Sequence, residues 1–224
     1  MATKEISLDS KILDSNDRLA RKNRERFDEH KVYVINLLSS PGSGKTSTIL
    51  SLIDGLKDEF AIGVIEGDIA SDVDAQTIKK TGCPAVQINT GGICHLEAKM
   101  ISKAIDALDL ASLDLIILEN VGNLVCPVDF DLGEDIKAMI LSVPEGDDKL
   151  LKYPGVFQAA NLVIVNKVDT LAVFDFDMDA FDTEMSKLNP QAQVKKISAT
   201  KGDGVAELVE WLRTQIRAKR AQNK

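Results

Sequence analysis

A short glycine-rich segment, S-S-P-G-S-G-K-T-S at 39–47, constrains the fold of this chain more than any other stretch. It matches the phosphate-binding pattern G-x-x-x-x-G-K-[S/T] at Gly44, Lys45 and Thr46, although Ser39 stands where the pattern begins with glycine. An apolar, strand-like run precedes the segment and a helical pattern follows it, which is the order that the motif requires. A chance glycine-rich turn would explain neither flanking element, so the segment predicts a phosphate-binding loop.

Each residue type in this loop has an expected role toward a bound phosphate. Backbone N–H groups would point at the phosphate oxygens, and the positive end of the helix dipole would add to the attraction. The Lys45 ammonium is expected to reach the β- and γ-phosphates, and the Thr46 hydroxyl is expected to bind Mg²⁺. The predicted phosphate-binding residues are Gly42, Ser43, Gly44, Lys45, Thr46 and Ser47.

Strand-like and helix-like segments alternate along the rest of the chain. Apolar runs typical of buried strands lie at 32–38, 61–65, 85–88, 113–118, 138–143, 162–165 and, more weakly, 194–198. Helical patterns lie at 45–58, 74–80, 95–108, 178–188 and 204–219. Strands buried on both faces and separated by helices predict an α/β fold, with a mainly parallel sheet covered by helices on both faces. A polar helical stretch precedes them, so we divide the chain into an N-terminal helical extension at 1–30 and a nucleotide-binding domain at 31–224.

Composition excludes several classes of partner. The net charge of −8 argues against general nucleic-acid binding, which needs basic surface to meet phosphates. No apolar run approaches the ~18 residues that span a membrane, and the N-terminal residues lack the apolar core of a signal peptide. The 3 cysteines cannot form a closed set of disulfides. We therefore expect a cytoplasmic protein with reduced thiols and with neither a membrane nor a nucleic-acid partner.

A second motif, N-K-V-D at the end of an apolar run, indicates guanine as the base. The Asp169 carboxylate would accept from guanine N1–H and from the exocyclic amine, a pattern that adenine lacks. Asn166 would brace the loop, and the Lys167 stem would cover the base. The dipeptide Ser198-Ala199 resembles the turn that closes over guanine in GTPases. An ATP-dependent kinase remains the alternative at this point.

Acidic residues follow two of the predicted strands. The segment E-N-V-G has the E-x-x-G form of a nucleotide switch, in which Glu119 would hold a metal-bound water and the Gly122 N–H would touch the γ-phosphate. Asp68 and Asp74 follow another strand and are candidates for Mg²⁺ coordination and for orienting the attacking water. For each of these two aspartates, a solvated loop that caps the next helix is the alternative.

The scarce cysteine and histidine residues cluster in two loops. Cys94 and His95 follow the third predicted strand, and Cys126 follows the switch segment, so the three are predicted to meet at the nucleotide edge of the sheet. Two thiols and an imidazole suit Zn²⁺ or Ni²⁺. A helix beginning at this loop would lower the pKa of the Cys94 thiol. One subunit offers three ligands, and a two-fold dimer would double the set. The alternative is that these are small buried residues.

On these motifs the chain resembles the HypB family of GTPases, which insert nickel into [NiFe] hydrogenase precursors. The segments that carry the resemblance are L-L-S-S-P-G-S-G-K-T, G-G-I-C-H-L-E-A, L-E-N-V-G-N-L-V-C-P-V-D-F-D-L-G-E and E-G-D-D-K-L-L-K-Y-P. The resemblance implies a P-loop fold of the SIMIBI class, slow hydrolysis of GTP to GDP with Mg²⁺, and a GTP-dependent homodimer. It also implies a Ni²⁺ or Zn²⁺ site at the dimer interface and a nucleotide contact from Lys152 across that interface. A HypA-type metallochaperone and the hydrogenase large-subunit precursor are the implied partners.

The sequence departs from the pattern of some members of this family. It contains neither a cysteine-rich nickel motif near the N-terminus nor a histidine-rich tract, and Lys99 stands one helical turn past His95, where a further histidine ligand would fit. A urease-type nickel accessory GTPase is an alternative, but its Cys-Pro-His motif is replaced here by Cys126-Pro127-Val128. A passive metal-binding module is the other alternative, against which the intact nucleotide motifs argue.

Overall fold

The computed structural model describes residues 9–68 and 77–222. Within these ranges, seven strands form one parallel sheet in the order β3-β2-β4-β1-β5-β6-β7. The strands are β1 Tyr33–Ser39, β2 Ile62–Asp68, β3 Ala85–Asn89, β4 Leu115–Glu119, β5 Ile136–Ser142, β6 Leu162–Asn166 and β7 Gln193–Lys196. Each predicted strand overlaps an observed one, and the prediction of a mainly parallel sheet is confirmed.

The helices agree less closely with the prediction. The α-helices of the described ranges are α1 Asp9–Glu29, α2 Lys45–Leu56, α3 Ala98–Ile105, α4 Lys149–Lys152, α5 Pro154–Ala159, α6 Met178–Leu188 and α7 Val205–Ala221. The helix predicted at 95–108 begins only at Ala98, because Glu97 is extended. Helices α4 and α5 were not predicted. Of the helix predicted at 74–80, residues 77–79 are helical and residues 74–76 lie outside the described ranges. Across the described ranges, no helix is both long and apolar enough to cross a membrane.

The sheet is covered on both faces, as its apolar strands require. Along β1, Ile35 and Leu37 pack toward α2 and α7, whereas Val34 packs toward α1 and α3. Leu38 joins a third apolar cluster with residues of α4, α5 and α6. Because successive side chains of a strand point to opposite faces, a strand buried on both sides needs the continuous apolar run seen in the sequence.

Helix α1 packs on the sheet through a thin apolar stripe. Phe27 is 0% exposed within the cluster that covers this face of the sheet. Arg24 forms an ion pair of 2.7 Å with Asp131, and the Asn16 side chain accepts a hydrogen bond of 2.8 Å from Ala98 N. These contacts join α1 to the rest of the fold, while the division of the chain at residues 30 and 31 stays a prediction.

The strand order brings the predicted motifs to one edge of the sheet. Strand β1 lies between β4 and β5, and the phosphate-loop segment leaves its carboxyl end beside the carboxyl end of β4. In open parallel sheets, ligands bind outside the carboxyl ends of the strands, where neighbouring connections diverge.

Candidate functional site

A cavity of about 510 Å³ lies at this edge of the sheet. It combines predicted residues from the phosphate loop, the switch segment and the base motif with several residues that were not predicted. Its walls are formed by Pro41, Gly42, Gly44, Lys45, Thr46, Ser47, Glu66, Gly67, Asp68, Glu119, Asn120, Val121, Gly122 and Lys167. Segments distant in sequence therefore converge on a cavity of the size that small-molecule ligands use.

The phosphate loop has the backbone conformation that its glycines allow. Gly44 adopts φ 95°, and a Cβ at this position would collide with the Asn166 amide nitrogen. The Lys45 ammonium donates a hydrogen bond of 2.9 Å to the Ser39 hydroxyl, and the Thr46 hydroxyl donates one of 3.1 Å to Glu119 Oε1. Ser39, which replaces the first glycine of the motif, thus binds the Lys45 ammonium at the N-terminus of helix α2.

The base motif is bonded directly to the phosphate loop. Asn166 Nδ2 donates to the Ser43 carbonyl at 2.9 Å, and its Oδ1 accepts from Ala199 N at 3.1 Å. Lys167 has a left-handed backbone with φ 62°, and its ammonium donates to the Gly42 carbonyl at 2.7 Å. One asparagine therefore ties the phosphate loop to the Ser-Ala turn.

The two remaining base residues lie on either side of that brace. Asp169 follows β6 in a short 3-10 turn, and its side chain is exposed. Ser198 is fully buried, and its hydroxyl accepts a hydrogen bond of 3.3 Å from Lys201 N. The Ser51 hydroxyl donates to the Ala199 carbonyl at 2.9 Å, which fixes the turn against helix α2.

Two buried glutamates lie side by side on adjacent strands at the floor of the cavity. Glu66 on β2 and Glu119 on β4 are register partners, and they are 3% and 4% exposed. Asp68 ends β2 and also lines the cavity, whereas Asp74 lies outside the described residues. Carboxylate and hydroxyl oxygens are hard ligands, so this group, together with Thr46, has the chemistry that Mg²⁺ prefers. Glu66 was missed by the sequence analysis, although its place near a strand end is the same signal that marks Glu119.

The predicted soft-metal residues meet close to this cavity. One ligand atom from each of Cys94, His95 and Cys126 lies within 4.8 Å of the other two, and Cys94 Sγ is 3.8 Å from His95 Nδ1. Ligands about 2.0–2.3 Å from a tetrahedral ion are roughly 3.5 Å apart, so small movements would let one ion bind all three. The His95 ring stacks on Phe130 with centroids 3.9 Å apart, which fixes the plane of the imidazole. The donor set fits Zn²⁺ or Ni²⁺.

The ionisation of these ligands differs in part from the prediction. The pKa of the Cys94 thiol is raised, first by its hydrogen bond with Cys126 and then by burial. The predicted lowering was wrong, because these two effects raise the pKa and α3 begins only at Ala98, four residues after Cys94. Burial lowers the pKa of His95, against an opposing effect of Glu97, so the imidazole is neutral at pH 7 and able to bind metal. In the described part of the chain, its buried Nε2 has no hydrogen-bond partner.

Lys152 is placed apart from these groups. It ends helix α4, its side chain is 61% exposed, and its ammonium pairs with the Asp148 carboxylate. Within the described ranges it does not line the nucleotide cavity of the same subunit. Its predicted role therefore depends on a second subunit.

Comparison with known proteins identifies the family. The family described as CobW/HypB/UreG, nucleotide-binding domain, matches residues 33–196. The hydrogenase maturation factor HypB of Escherichia coli K12 is 48% identical over 211 residues, which cover 94% of this chain and 72% of that protein. The chain belongs to the HypB family. The predicted resemblance is thereby confirmed.

Solved structures support the assignment to this family at the level of the fold. A crystal structure of HypB from Helicobacter pylori in complex with nickel superposes with a TM-score of 0.87 at 41% identity, covering 94% of this chain and 99% of that chain. The signal recognition particle receptor FtsY of Elizabethkingia anophelis gives a TM-score of 0.57 at 16% identity, over 87% of this chain and 72% of that chain. The likeness to FtsY concerns the fold alone. Together with the HypB structure, it confirms the predicted SIMIBI-class P-loop fold.

Proposed function

We propose that this HypB-family protein hydrolyses GTP and delivers nickel for the maturation of [NiFe] hydrogenase. The observation that carries the proposal is that one short segment contributes residues to both the nucleotide cavity and the soft-metal group. Residues 119–126 run from Glu119 in the nucleotide cavity to Cys126 in the soft-metal group. A nucleotide that moves this segment would also move a metal ligand, so binding and release of the ion would follow the nucleotide cycle. The nickel complex of the Helicobacter pylori relative supports the choice of metal.

The nucleotide half of the proposal rests on the cavity residues. Asp169 would select guanine, and Lys45 with the backbone of the phosphate loop would bind the β- and γ-phosphates of GTP. Thr46, Glu119, Asp68 and Asp74 would hold Mg²⁺, which supplies charge neutralisation at the β- and γ-phosphate oxygens when bound. The carboxylates of this group would orient the attacking water, and the Gly122 N–H would contact the γ-phosphate. Turnover would be slow, as the family resemblance implies. Each hydrolysis of GTP to GDP would return the protein to its starting state.

The metal half of the proposal rests on the soft ligands and on the surface around them. Cys94, His95 and Cys126 would bind Ni²⁺, with Zn²⁺ as the competing ion. Ile93 and Val125, each next to a cysteine ligand, are 39% and 59% exposed. Both side chains would add apolar area to a contact between two subunits at the metal ligands. We infer that GTP binding pairs two subunits over this surface, which doubles the ligand set.

The proposed partners follow from the family. A HypA-type metallochaperone would exchange the ion with this protein, and the hydrogenase large-subunit precursor would receive it. Lys152 of one subunit would contact the nucleotide of the other. The net charge of −8 supports a role without nucleic acid. We place the protein in the cytoplasm, where the cysteine ligands stay reduced.

Metal titration in two nucleotide states tests the proposal. Ni²⁺ and Zn²⁺ affinities are measured for the wild type and for Cys126→Ala, each with GDP and with a non-hydrolysable GTP analogue. We expect the wild-type affinity to differ between the two states and Cys126→Ala to bind Ni²⁺ at least tenfold more weakly, roughly the loss of one ligand. Cys83→Ala is the matched control, because Cys83 packs against the core away from the cluster. Equal affinities in the two states would exclude gating, and unchanged binding by Cys126→Ala would exclude this site.

A further inference from the structure

Asn120 joins the switch segment to the loop that carries Cys94 and His95, and it does so through a single oxygen atom. The residue follows Glu119 directly and is 1% exposed. Its Oδ1 accepts hydrogen bonds from Val121 N at 2.9 Å and from Leu96 N at 3.1 Å. Val121 precedes Gly122, the proposed contact of the γ-phosphate. Leu96 follows His95, a proposed metal ligand. The same oxygen therefore binds one N–H group from each of the two proposed sites.

The orientation of this amide is fixed from behind. Asn120 Nδ2 donates to Asn36 Oδ1 at 3.2 Å, and Asn36 Nδ2 donates to Glu134 Oε1 at 3.1 Å. Glu134 Oε2 in turn accepts from Leu132 N at 2.7 Å. Because the Nδ2 of Asn120 is committed to Asn36, its oxygen must face Val121 and Leu96. In a buried chain of this kind, each bond is costly to leave unmade, so the members hold one another in place.

Both ends of the link are tightly packed. At the nucleotide end, a Cβ on Gly122 would approach Pro41 N to 2.9 Å, so the switch segment lies directly against the phosphate loop. At the metal end, Leu96 is fully buried, and a Cβ on Gly67 would approach Leu96 Cδ2 to 2.6 Å. Close packing leaves little room for one segment to move while the other stays.

We propose that Asn120 is the positioning residue that transmits the state of the γ-phosphate to the metal ligands. The inference rests on the proposed function, since it presupposes that metal affinity depends on the bound nucleotide. When the Val121–Gly122 peptide shifts toward a γ-phosphate, the shared acceptor moves with it and carries Leu96 N along. His95 precedes Leu96, so its distance to the two thiols changes. By linkage, a metal ion that fixes His95 alters GTP affinity by the same factor.

Comparing nucleotide dependence in a variant tests the link. Ni²⁺ is titrated into wild type, Asn120→Ala and Asn189→Ala, each with Mg²⁺ and either GDP or a non-hydrolysable GTP analogue. Asn189 is the matched control, because its amide donates to three backbone carbonyls near helix α5, far along the sequence from both loops. We expect the wild type and Asn189→Ala to show a ratio of affinities of about fivefold or more, a typical size for coupling between sites. In Asn120→Ala the ratio falls to within about twofold of one, while Ni²⁺ still binds in the GDP state.

The outcomes separate this inference from the proposed function. A wild-type ratio of one overturns the gating itself. A wild-type ratio that Asn120→Ala retains overturns the role of Asn120 and leaves the gating intact. If Asn120→Ala does not fold, hydrogen–deuterium exchange of the wild-type Leu96 amide takes its place. That amide is expected to exchange at different rates in the GDP and GTP-analogue states, and identical rates overturn the inference.

Discussion

Glu66 on β2 and Glu119 on β4 are register partners in adjacent strands, and both buried residues line the cavity that also includes Thr46. Glu119 Oε1 accepts a hydrogen bond of 3.1 Å from the Thr46 hydroxyl. This bond ties Glu119 to the hydroxyl that we propose as an Mg²⁺ ligand, so Glu119 is the carboxylate that we propose to hold a metal-bound water.

Glu119→Gln is expected to slow GTP hydrolysis by at least ~100-fold, the usual effect of removing one group that stabilises a transition state. The amide keeps the shape of the side chain but has no negative charge to hold a metal-bound water. GTP binding, measured with a non-hydrolysable analogue, should weaken by less than about tenfold, because the phosphate loop is unchanged. The control is Glu207→Gln on the exposed face of α7. Wild-type turnover by Glu119→Gln would show that this carboxylate has no role in hydrolysis.

Asp169→Ala is expected to weaken GTP binding by about 1.5–3 kcal/mol, the contribution of hydrogen bonds to a charged group. ATP affinity should not change, since adenine makes no bond to this carboxylate. The measurement is a pair of titrations with non-hydrolysable analogues of GTP and of ATP, and Asp175→Ala provides an exposed acidic control nearby. An unchanged preference for guanine would assign base recognition to other residues. Tighter binding of ATP than of GTP by the wild type would instead favour the kinase alternative.

Ni²⁺ affinity is expected to rise with pH across the range from 7 to 9. The pKa of the Cys94 thiol lies above its ordinary value of 9.0, so the thiol is protonated at neutral pH and the metal must displace a proton. The pKa of His95 lies below 6.5, so the imidazole adds no proton competition in this range. Titrations at several pH values give the slope, and Cys94→Ser should flatten it. A pH-independent affinity in the wild type would mean that the thiolate forms without the metal.

Phe27→Ala is expected to lower the free energy of unfolding by about 3–5 kcal/mol, the usual cost of emptying a buried aromatic site. The reason is that α1 contributes a fully buried ring to the sheet face. Phe174→Ala makes the same chemical change where the ring is 43% exposed, and its effect should stay below about 1 kcal/mol. Urea unfolding of both variants checks this. Equal free energies of unfolding for the two variants would indicate that packing of α1 adds nothing to the stability of the folded domain.

The local patterns explain why so much of the fold was predictable. The phosphate loop and the N-K-V-D motif each require a strand before them, and the apolar runs supplied strands in the right places. Helices α4 and α5 have 4 and 6 residues and meet at Tyr153 and Pro154, so neither is long enough to show a helical period.

The parts of the site that were missed depend on tertiary structure. Glu66 directly follows the apolar run at 61–65, and its place in the site comes from its register with Glu119. Asn120 occupies a variable position of the E-x-x-G pattern, and only the fold brings Leu96 N to its side chain. The wrong direction for the Cys94 pKa has a similar origin, since it depended on where α3 begins and on the neighbouring Cys126 thiol.

The closeness of Cys94 and Cys126 has a cost as well as a use. Two sulfur atoms this near each other need only lose two electrons and two protons to an oxidant to become a disulfide. That single event would remove two of the three ligands together. Without a metal, the two thiols are therefore open to oxidation. A bound ion would occupy both thiolates and protect them from forming the disulfide.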